Sequence, residues 1–392
     1  MKAGLIVLCL AYVLSQFFRA FLAVLAAPLA RDIGAAPDDL AFASGLWFLA
    51  FAAMQIPVGW ALDRIGPRRT AAVLLVIGGG GGAALFALAT APVHVSVAML
   101  LIGVGCSPVL MASYYIFARQ FPPARFATLA ALMLGVGSVG NLVAAYPTAL
   151  AADFLGWRGT LAALAAISTA TGIGIWLSVR DPEQVVTDAR GSVLDLLRMP
   201  ALWLIFPLAF FQYAPAAGLR GLWTGPYATD LFGAGPGTVG TVTLLMGAAM
   251  IAGTFAYGPL DRVFGTRKWV IFGGNLLSFF ALAALALLPG DNLWRAAALF
   301  AAVGFFGASF PVIMAHGRSF YPEHLVGRGV TLMNLFAIGG VGAMQVVTGR
   351  VYAAAEAAGG PPAASYQPLF VVFAGTVALG LVIYVFSRET PG

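Results

Sequence analysis

Two arginines stand where a charge is least expected. Arg19 lies near the middle of the apolar stretch Leu5 to Ala30, and Arg220 lies within another, Ala201 to Tyr227. A charged side chain at bilayer depth is costly and rare, and it faces a bundle interior or a water-filled cavity. Arginine stays charged and presents a planar fork of N–H donors that matches carboxylate or phosphate. All 15 acidic residues fall in loops or at the ends of apolar stretches, so neither arginine has an evident internal counter-ion. The chemistry on offer is the gripping of an anion. Catalysis is not expected: there is no glycine-rich phosphate loop, no clustered metal ligands, and no nucleophile with a histidine base on a helix pair. No cofactor is expected either.

The elements that must hold these cations follow from composition. Of 392 residues, 61% are hydrophobic and 9% charged, against roughly 25% charged in soluble domains. A polytopic membrane protein is the reading, with the lipid bilayer as its surroundings. The net charge of +6 sits mostly in loops and calls for no nucleic-acid partner. The two cysteines, Cys9 and Cys106, both fall in apolar segments and read as packing. The N-terminus imitates a signal peptide, but the run is long enough to span and reads as an uncleaved first helix.

Twelve apolar stretches are long enough to cross a membrane as helices: 5–30, 41–62, 70–91, 95–118, 126–150, 159–179, 201–228, 238–260, 269–289, 293–316, 329–350 and 367–386. With the N-terminus inside, the cytoplasmic loops hold Lys2, Arg64, Arg68, Arg69, Arg119, Arg125, Arg180, Arg190, Arg198, Arg262, Arg267, Lys268, Arg318, Arg328 and Arg388. The outer loops hold Arg31, Arg158, Arg295 and Arg350. The positive-inside rule then places both termini in the cytoplasm. The most polar connection, 181–200, divides the chain into six-helix bundles at 1–180 and 201–392.

An internal repeat supports that division. Gly59-Trp-Ala-Leu-Asp63-Arg64-Ile-Gly66-Pro-Arg68-Arg69 follows the second stretch, and Gly258-Pro-Leu-Asp261-Arg262-Val-Phe-Gly265-Thr-Arg267-Lys268 follows the eighth. Matching halves are the mark of a transporter built from parallel repeats. The first loop resembles the signature between helices two and three of the major facilitator superfamily, departing from it at Ala61 and Pro67, and the second is its weaker echo. The resemblance implies an all-α fold of twelve transmembrane helices in two pseudo-symmetric bundles. It also implies a gating charge network at Gly59, Asp63, Arg64, Gly66 and Arg69, with Gly258, Asp261, Arg262 and Gly265 as its counterpart. Asp63 and Arg69 are expected to steady an outward-facing state. The family's proton-coupling arginine is replaced by Met99, four residues before Gly103. The antiporter motif of the fifth helix gives way to Gly135-Val-Gly137-Ser-Val-Gly140-Asn141. Neither departure favours a multidrug exporter, and uptake is the favoured direction.

Aligning Pro28–Asp32 with Pro226–Asp230 sets an offset of 198, which brings Arg220 onto Leu22, three positions from Arg19. Three residues are nearly one helical turn, so the arginines lie on related faces and differ in depth by about 4.5 Å. One arginine on each of these helices resembles the organic-anion and organophosphate branch of the superfamily. Tyr12 and Gln16 accompany Arg19 at helical spacing; Gln212, Tyr213 and Trp223 accompany Arg220. Tyr114, Tyr115, Asn141, Tyr146, Asn334 and Gln345 are further candidates to line the same cavity, and Trp47 and Gln55 are weaker ones. His316 ends the tenth stretch and reads as interfacial. Met246 and Met250 share a helix face and are compatible with Cu(I), although core packing accounts for them more simply. The expectation is a monomeric secondary carrier in a bacterial inner membrane, moving a small organic anion by alternating access. Uptake of a vitamin-like aromatic nutrient or of copper, and a non-transporting sensor, are the alternatives.

Overall fold

The computed structural model describes residues 2–121, 123–182, 193–288, 290, 292–322 and 325–389. Glu183, Asp188, Arg190, Asp291, Glu323 and His324 lie outside the described residues, as do the side chains of Lys2, Arg125, Asp261 and Arg262. Every described element is a helix. Nine are long and apolar enough to cross a membrane, or eleven when each bent pair counts as one span; the apolar helix Pro123–Val143 supplies a twelfth.

The first span is a bent pair, Lys2–Phe17 and Leu22–Ile33, and the second is Pro37–Ala53 with Gln55–Arg64. The third runs Pro67–Ala87 and the fourth Pro92–Gln120. The fifth begins at Pro123 and continues past a break at Ala144 and Ala145 into Tyr146–Ser178, where the positive φ of Gly156 starts the sixth. The seventh to twelfth are Pro200–Phe232, Pro236–Phe264, Arg267–Leu287, Leu293–Arg318, Val326–Ala357 and Pro362–Tyr384. Prolines open seven of them, at Pro37, Pro67, Pro92, Pro123, Pro200, Pro236 and Pro362. A missing N–H costs nothing in the first turn, and the fixed φ is already helical.

The chain divides into two compact units, Met1–Thr187 and Asp188–Gly392. Within the first, the first span packs on the fifth, the second on the fourth and the third on the sixth. Within the other, the seventh packs on the eleventh, the eighth on the tenth and the ninth on the twelfth. The same glycines enable the same pairings. A Cβ on Gly140 of the fifth span would fall on the carbonyl oxygen of Val13, and one on Gly340 of the eleventh would fall on that of Phe210. Gly103 presses on Trp47 of the second span, and Gly304 on Met246 and Met250 of the eighth. Lipid supplies no hydrophobic drive for helices to associate, so close backbone approach through small residues has to provide it. The methionine pair thus forms the packing surface of the tenth span.

The C-terminal ends of the first and seventh spans are tied alike. Asp32 accepts from Trp157 Nε1 at 2.8 Å, at the start of the sixth span. Asp230 accepts from Tyr366 Oη at 2.5 Å, at the start of the twelfth.

Gly59 and Gly258, by contrast, have nothing within 4 Å of an added Cβ, so close helix approach is not what they provide. Gly140→Ala or Gly340→Ala therefore sets a methyl group against backbone, and each is expected to abolish the monodisperse peak in size-exclusion chromatography of detergent-solubilised protein. Gly59→Ala and Gly258→Ala are expected to elute as the unaltered chain does.

Candidate functional site

Arg19 sits in the break of the first span, between Phe17 and Leu22, where the two segments bend by 56°. The backbone tightens there: Arg19 N–H bonds to Gln16 O and Ala20 N–H to Phe17 O, three residues back rather than four. The guanidinium lies over two aromatic rings of the second span, with Cζ 5.3 Å from the centre of Trp47 and 4.8 Å from that of Phe51. Those rings stack at 5.2 Å with 17° between their planes. Cys106 of the fourth span is within electrostatic reach of Arg19 and in hydrogen-bond reach of Ser15.

Magnitudes separate what this box satisfies from what it leaves unmet. A central arginine costs about 2.5–3.5 kcal/mol on insertion scales, and a desolvated cation–π contact returns about 2 kcal/mol or more. The rings therefore offset much of the charge. They do not accept hydrogen bonds well, and Arg19 Nε and Trp47 Nε1 are both buried with no hydrogen-bond partner. A buried donor left unmet costs about 1–3 kcal/mol. Both groups are donors only, so what the pair lacks is an acceptor. Among the described residues, ion pairs within 4 Å occur at Asp32, with Arg31 and Arg158, and none involves Arg19.

Arg220 occupies the matching region of the seventh span and is 1% exposed, so its charge is enclosed rather than turned outward. Here too the helix departs from regularity, by widening: Leu219–Trp223 is a π-helical turn between Phe206–Gly218 and Thr224–Phe232. Such turns mark functional sites often enough to be informative. The fourth and tenth spans also break at comparable places, Ser107–Pro108 and Gly307–Ser309.

The other expected lining residues divide into groups. Gln16 Nε2 donates to Tyr12 Oη at 3.0 Å, and the Tyr12 ring covers Gly137 of the fifth span. Tyr114 is half-buried near Tyr12, and Asn141 and Asn334 are half-buried on the fifth and eleventh spans. Tyr115 is half-buried at the basic end of the fourth span, beneath the Arg119 guanidinium at 4.9 Å. Tyr213 tilts against Phe310 at 5.8 Å. Gln212 is committed through its oxygen, Oε1 accepting from Ser309 at 2.8 Å and from Asn275 at 3.3 Å, while its Nε2 is buried with no hydrogen-bond partner. Trp223 is committed as well, donating to Gln345 Oε1 at 3.0 Å and packing on Tyr352 and Tyr366. Both tie the seventh span to its neighbours. Trp47, weaker by spacing alone, proves to be the partner of Arg19, and Phe51 was not singled out at all. The signal for both was present as an aromatic i, i+4 pair on the second span.

At the signature loops the structure brings in a carboxylate that the motif itself does not contain. No ion pair joins Asp63 to Arg69 among the described residues; Asp63 lies instead beside Tyr115. Asp181, just beyond the sixth span, accepts from the backbone N–H of Arg68 at 2.7 Å. Gly66 has φ +101°, and an added Cβ would stand 2.9 Å from that carboxylate, so glycine is required on both counts. Glu389, just beyond the twelfth span, does the same for the ninth. It accepts from Thr266 Oγ1 at 2.6 Å and from Arg267 N–H at 3.1 Å. Carboxylates suit helix N-termini, where amides are unpaired and the dipole is positive. The loops are thus anchored by a matching step, Arg180-Asp181 and Arg388-Glu389, which is visible in the sequence. Arg64 lies exposed in the first loop, and Gly265 turns the second with φ +63°.

Comparison with known proteins bears on the family and the fold. Residues 8–224 match the family model described as Major Facilitator Superfamily. No curated protein sequence matches the chain. Among solved structures, a bacterial homologue of the human lysosomal transporter Spinster, in an inward-facing and occupied conformation, superposes with a TM-score of 0.79 at 18% identity, covering 98% of this chain and 96% of its own. The nucleoside transporter NupG gives 0.77 at 14% identity, covering 98% and 99%. A D-xylose–proton symporter gives 0.76 at 14% identity, covering 98% and 97%. Identities this low establish the shared fold alone.

The aromatic box makes a separable prediction. Trp47→Phe keeps a ring beneath the guanidinium and removes only an unmet donor, so its thermal midpoint in detergent should match that of the unaltered chain. Trp47→Leu removes the ring face and leaves a cavity, and should lower the midpoint by several degrees. Equal midpoints for the two variants would show that the cation–π contact does not hold Arg19. At the loops, Asp181→Ala should lower the midpoint more than Asp63→Ala.

Proposed function

The chain belongs to the Major Facilitator Superfamily, and from that premise we propose that it takes up a small organic anion across a bacterial inner membrane by alternating access. The observation carrying this reading is the pair of buried, acceptor-less donors, Arg19 Nε and Trp47 Nε1, on adjoining spans of one unit. A carboxylate or phosphate carries the acceptor oxygens that both donors lack, and a charge-assisted bond in that setting is about twice as strong as a neutral one. Arg220 is a second enclosed cation, in the repeat-related region of the other unit. Asp181 and Glu389 steady the loops on which gating would turn, on the side that the arginine bias assigns to the cytoplasm.

A second reading draws on the stacked rings of Trp47 and Phe51. An uncharged aromatic nutrient would lie against them and take one hydrogen bond from Arg19. The two readings part on charge.

A thermal-shift screen of the purified chain against carboxylates, sugar phosphates and neutral aromatic compounds distinguishes them. The expected result is stabilisation by an anion that disappears in Arg19→Ala. In Arg19→Lys, which keeps the charge and loses the fork, affinity should weaken about tenfold or more. Stabilisation by a neutral aromatic compound alone would favour the second reading. Anion binding that survives Arg19→Ala unchanged would refute the placement of the site.

A further inference from the structure

A second site lies on the outside of the first unit, between the third and sixth spans. There the surface sinks into a groove of about 270 Å³, lined almost wholly by apolar atoms. Its floor is a tight seam. A Cβ on Gly172 would stand 2.6 Å from Val76 Cγ2 and 3.1 Å from Ala72 O, so the two spans meet there at backbone distance. Its rims are Val73 and Ile77 on the third span and Ile173 and Trp176 on the sixth, all at least two-fifths exposed. Both spans are long enough to cross a membrane, so this apolar surface faces acyl chains rather than water. The third span is π-helical over Leu75–Gly80, which sets Val76 and Ile77 off the regular helical track.

The groove also has a polar end. Arg68, one turn before Ala72, extends its guanidinium over the Trp176 ring at 5.1 Å. Its Nε is buried and has no hydrogen-bond partner. The backbone N–H of the same residue is already taken by Asp181, the nearest carboxylate in contact with this turn. Arg64, Arg69 and Arg180 lie in the same two chain segments, so the cations there outnumber the carboxylates Asp63 and Asp181. From Arg68 to Ile77 is nine residues, about 13 Å of helix, comparable to one leaflet's share of a hydrocarbon core about 30 Å thick.

We infer that this groove holds one anionic phospholipid, its acyl chain lying between the third and sixth spans and its phosphate accepting from Arg68. The apolar surface and the charge fit together: the trough over 72–77 begins one turn from an arginine with an unmet donor, and trough and arginine together span the depth of a leaflet. A zwitterionic lipid would fill the trough equally well but would bring its own cation to a region already rich in arginine. Basic residues next to a span are the recognised means of holding anionic lipid.

The test is native mass spectrometry of the whole chain, released from micelles carrying equal amounts of phosphatidylglycerol and phosphatidylcholine. The unaltered chain should retain phosphatidylglycerol preferentially. Arg68→Gln should reduce that preference about fivefold, whereas Arg69→Gln should leave it in place. Val73→Trp, which fills the trough from its rim, should reduce retention of both lipids. If Arg68→Gln fails to fold, Arg68→Lys reads the same contact, since it keeps the charge and loses the ring-bound fork. Excess glycerol phosphate should not displace the lipid, because it lacks the chain that occupies the groove. Equal retention of the two lipids, or a preference indifferent to both Arg68→Gln and Val73→Trp, would overturn the assignment. So would displacement by glycerol phosphate, or a dimer peak that Val73→Trp abolishes, which would make the groove's occupant a second copy of the chain.

Discussion

Two apolar helices in lipid gain almost nothing by exchanging lipid contacts for each other's side chains. What joins them is backbone brought to backbone, and glycines make that approach here, four of them at repeat-related pairings. Gly140 against Val13 and Gly340 against Phe210 set the first and seventh spans on their partners; Gly103 and Gly304 set the fourth and tenth on theirs. The spans that carry Arg19 and Arg220, and those broken at Ser107 and Gly307, are therefore held from one side by contacts with no slack. Their irregular backbone is tolerable in a bilayer only because protein, not lipid, surrounds it. The glycines fix the frame within which a charge can be enclosed.

Within that frame the polar groups fall into two kinds. Gln212, Trp223, Gln345 and Asn275 meet one another across the seventh, ninth and eleventh spans and tie the second unit together. Arg19 and Trp47 touch through a ring face and leave their N–H groups unmet. The first kind joins spans through hydrogen bonds, although Gln212 Nε2 and Asn275 Oδ1 are themselves buried without a partner. The second kind joins them through a ring face alone, so it fixes position with less directionality than a hydrogen-bonded network does.

Much of this was legible in the sequence, because membrane proteins advertise their constraints. Length and hydropathy marked the spans; the repeat of Gly59–Arg69 at Gly258–Lys268 marked the halves; and Arg19 and Arg220 announced themselves as charges among apolar residues. What the sequence hid was which polar residue meets which. Asp63 beside Arg64 and Arg69 suggested a local charge network, yet the carboxylate that seats the third span comes from Asp181, more than a hundred residues away. Trp223 sits three residues from Arg220 and suggests a shared ligand, but its indole is spent on Gln345. Proximity along a helix gives the face, and partners across helices are set by packing that no local pattern encodes. The aromatic pair Trp47 and Phe51 was readable at helical spacing, and only its destination was not.

The seventh span's wide turn keeps the two halves in register at both ends of that span. Between the equivalent contacts of Val13 and Phe210, the halves are offset by 197 residues; at Asp32 and Asp230 they are offset by 198. The second half therefore has one residue more between those points than the first, and the π-helical turn at Leu219–Trp223 lies in that interval. A turn closing five residues back absorbs one extra residue without breaking the span. The glycine contact on one side of the turn and the aspartate tie on the other thus keep their counterparts. Arg19 and Arg220 stand three positions apart under the 198 offset, more than this one residue accounts for, so they are two separate placements of a cation and not one position carried twice.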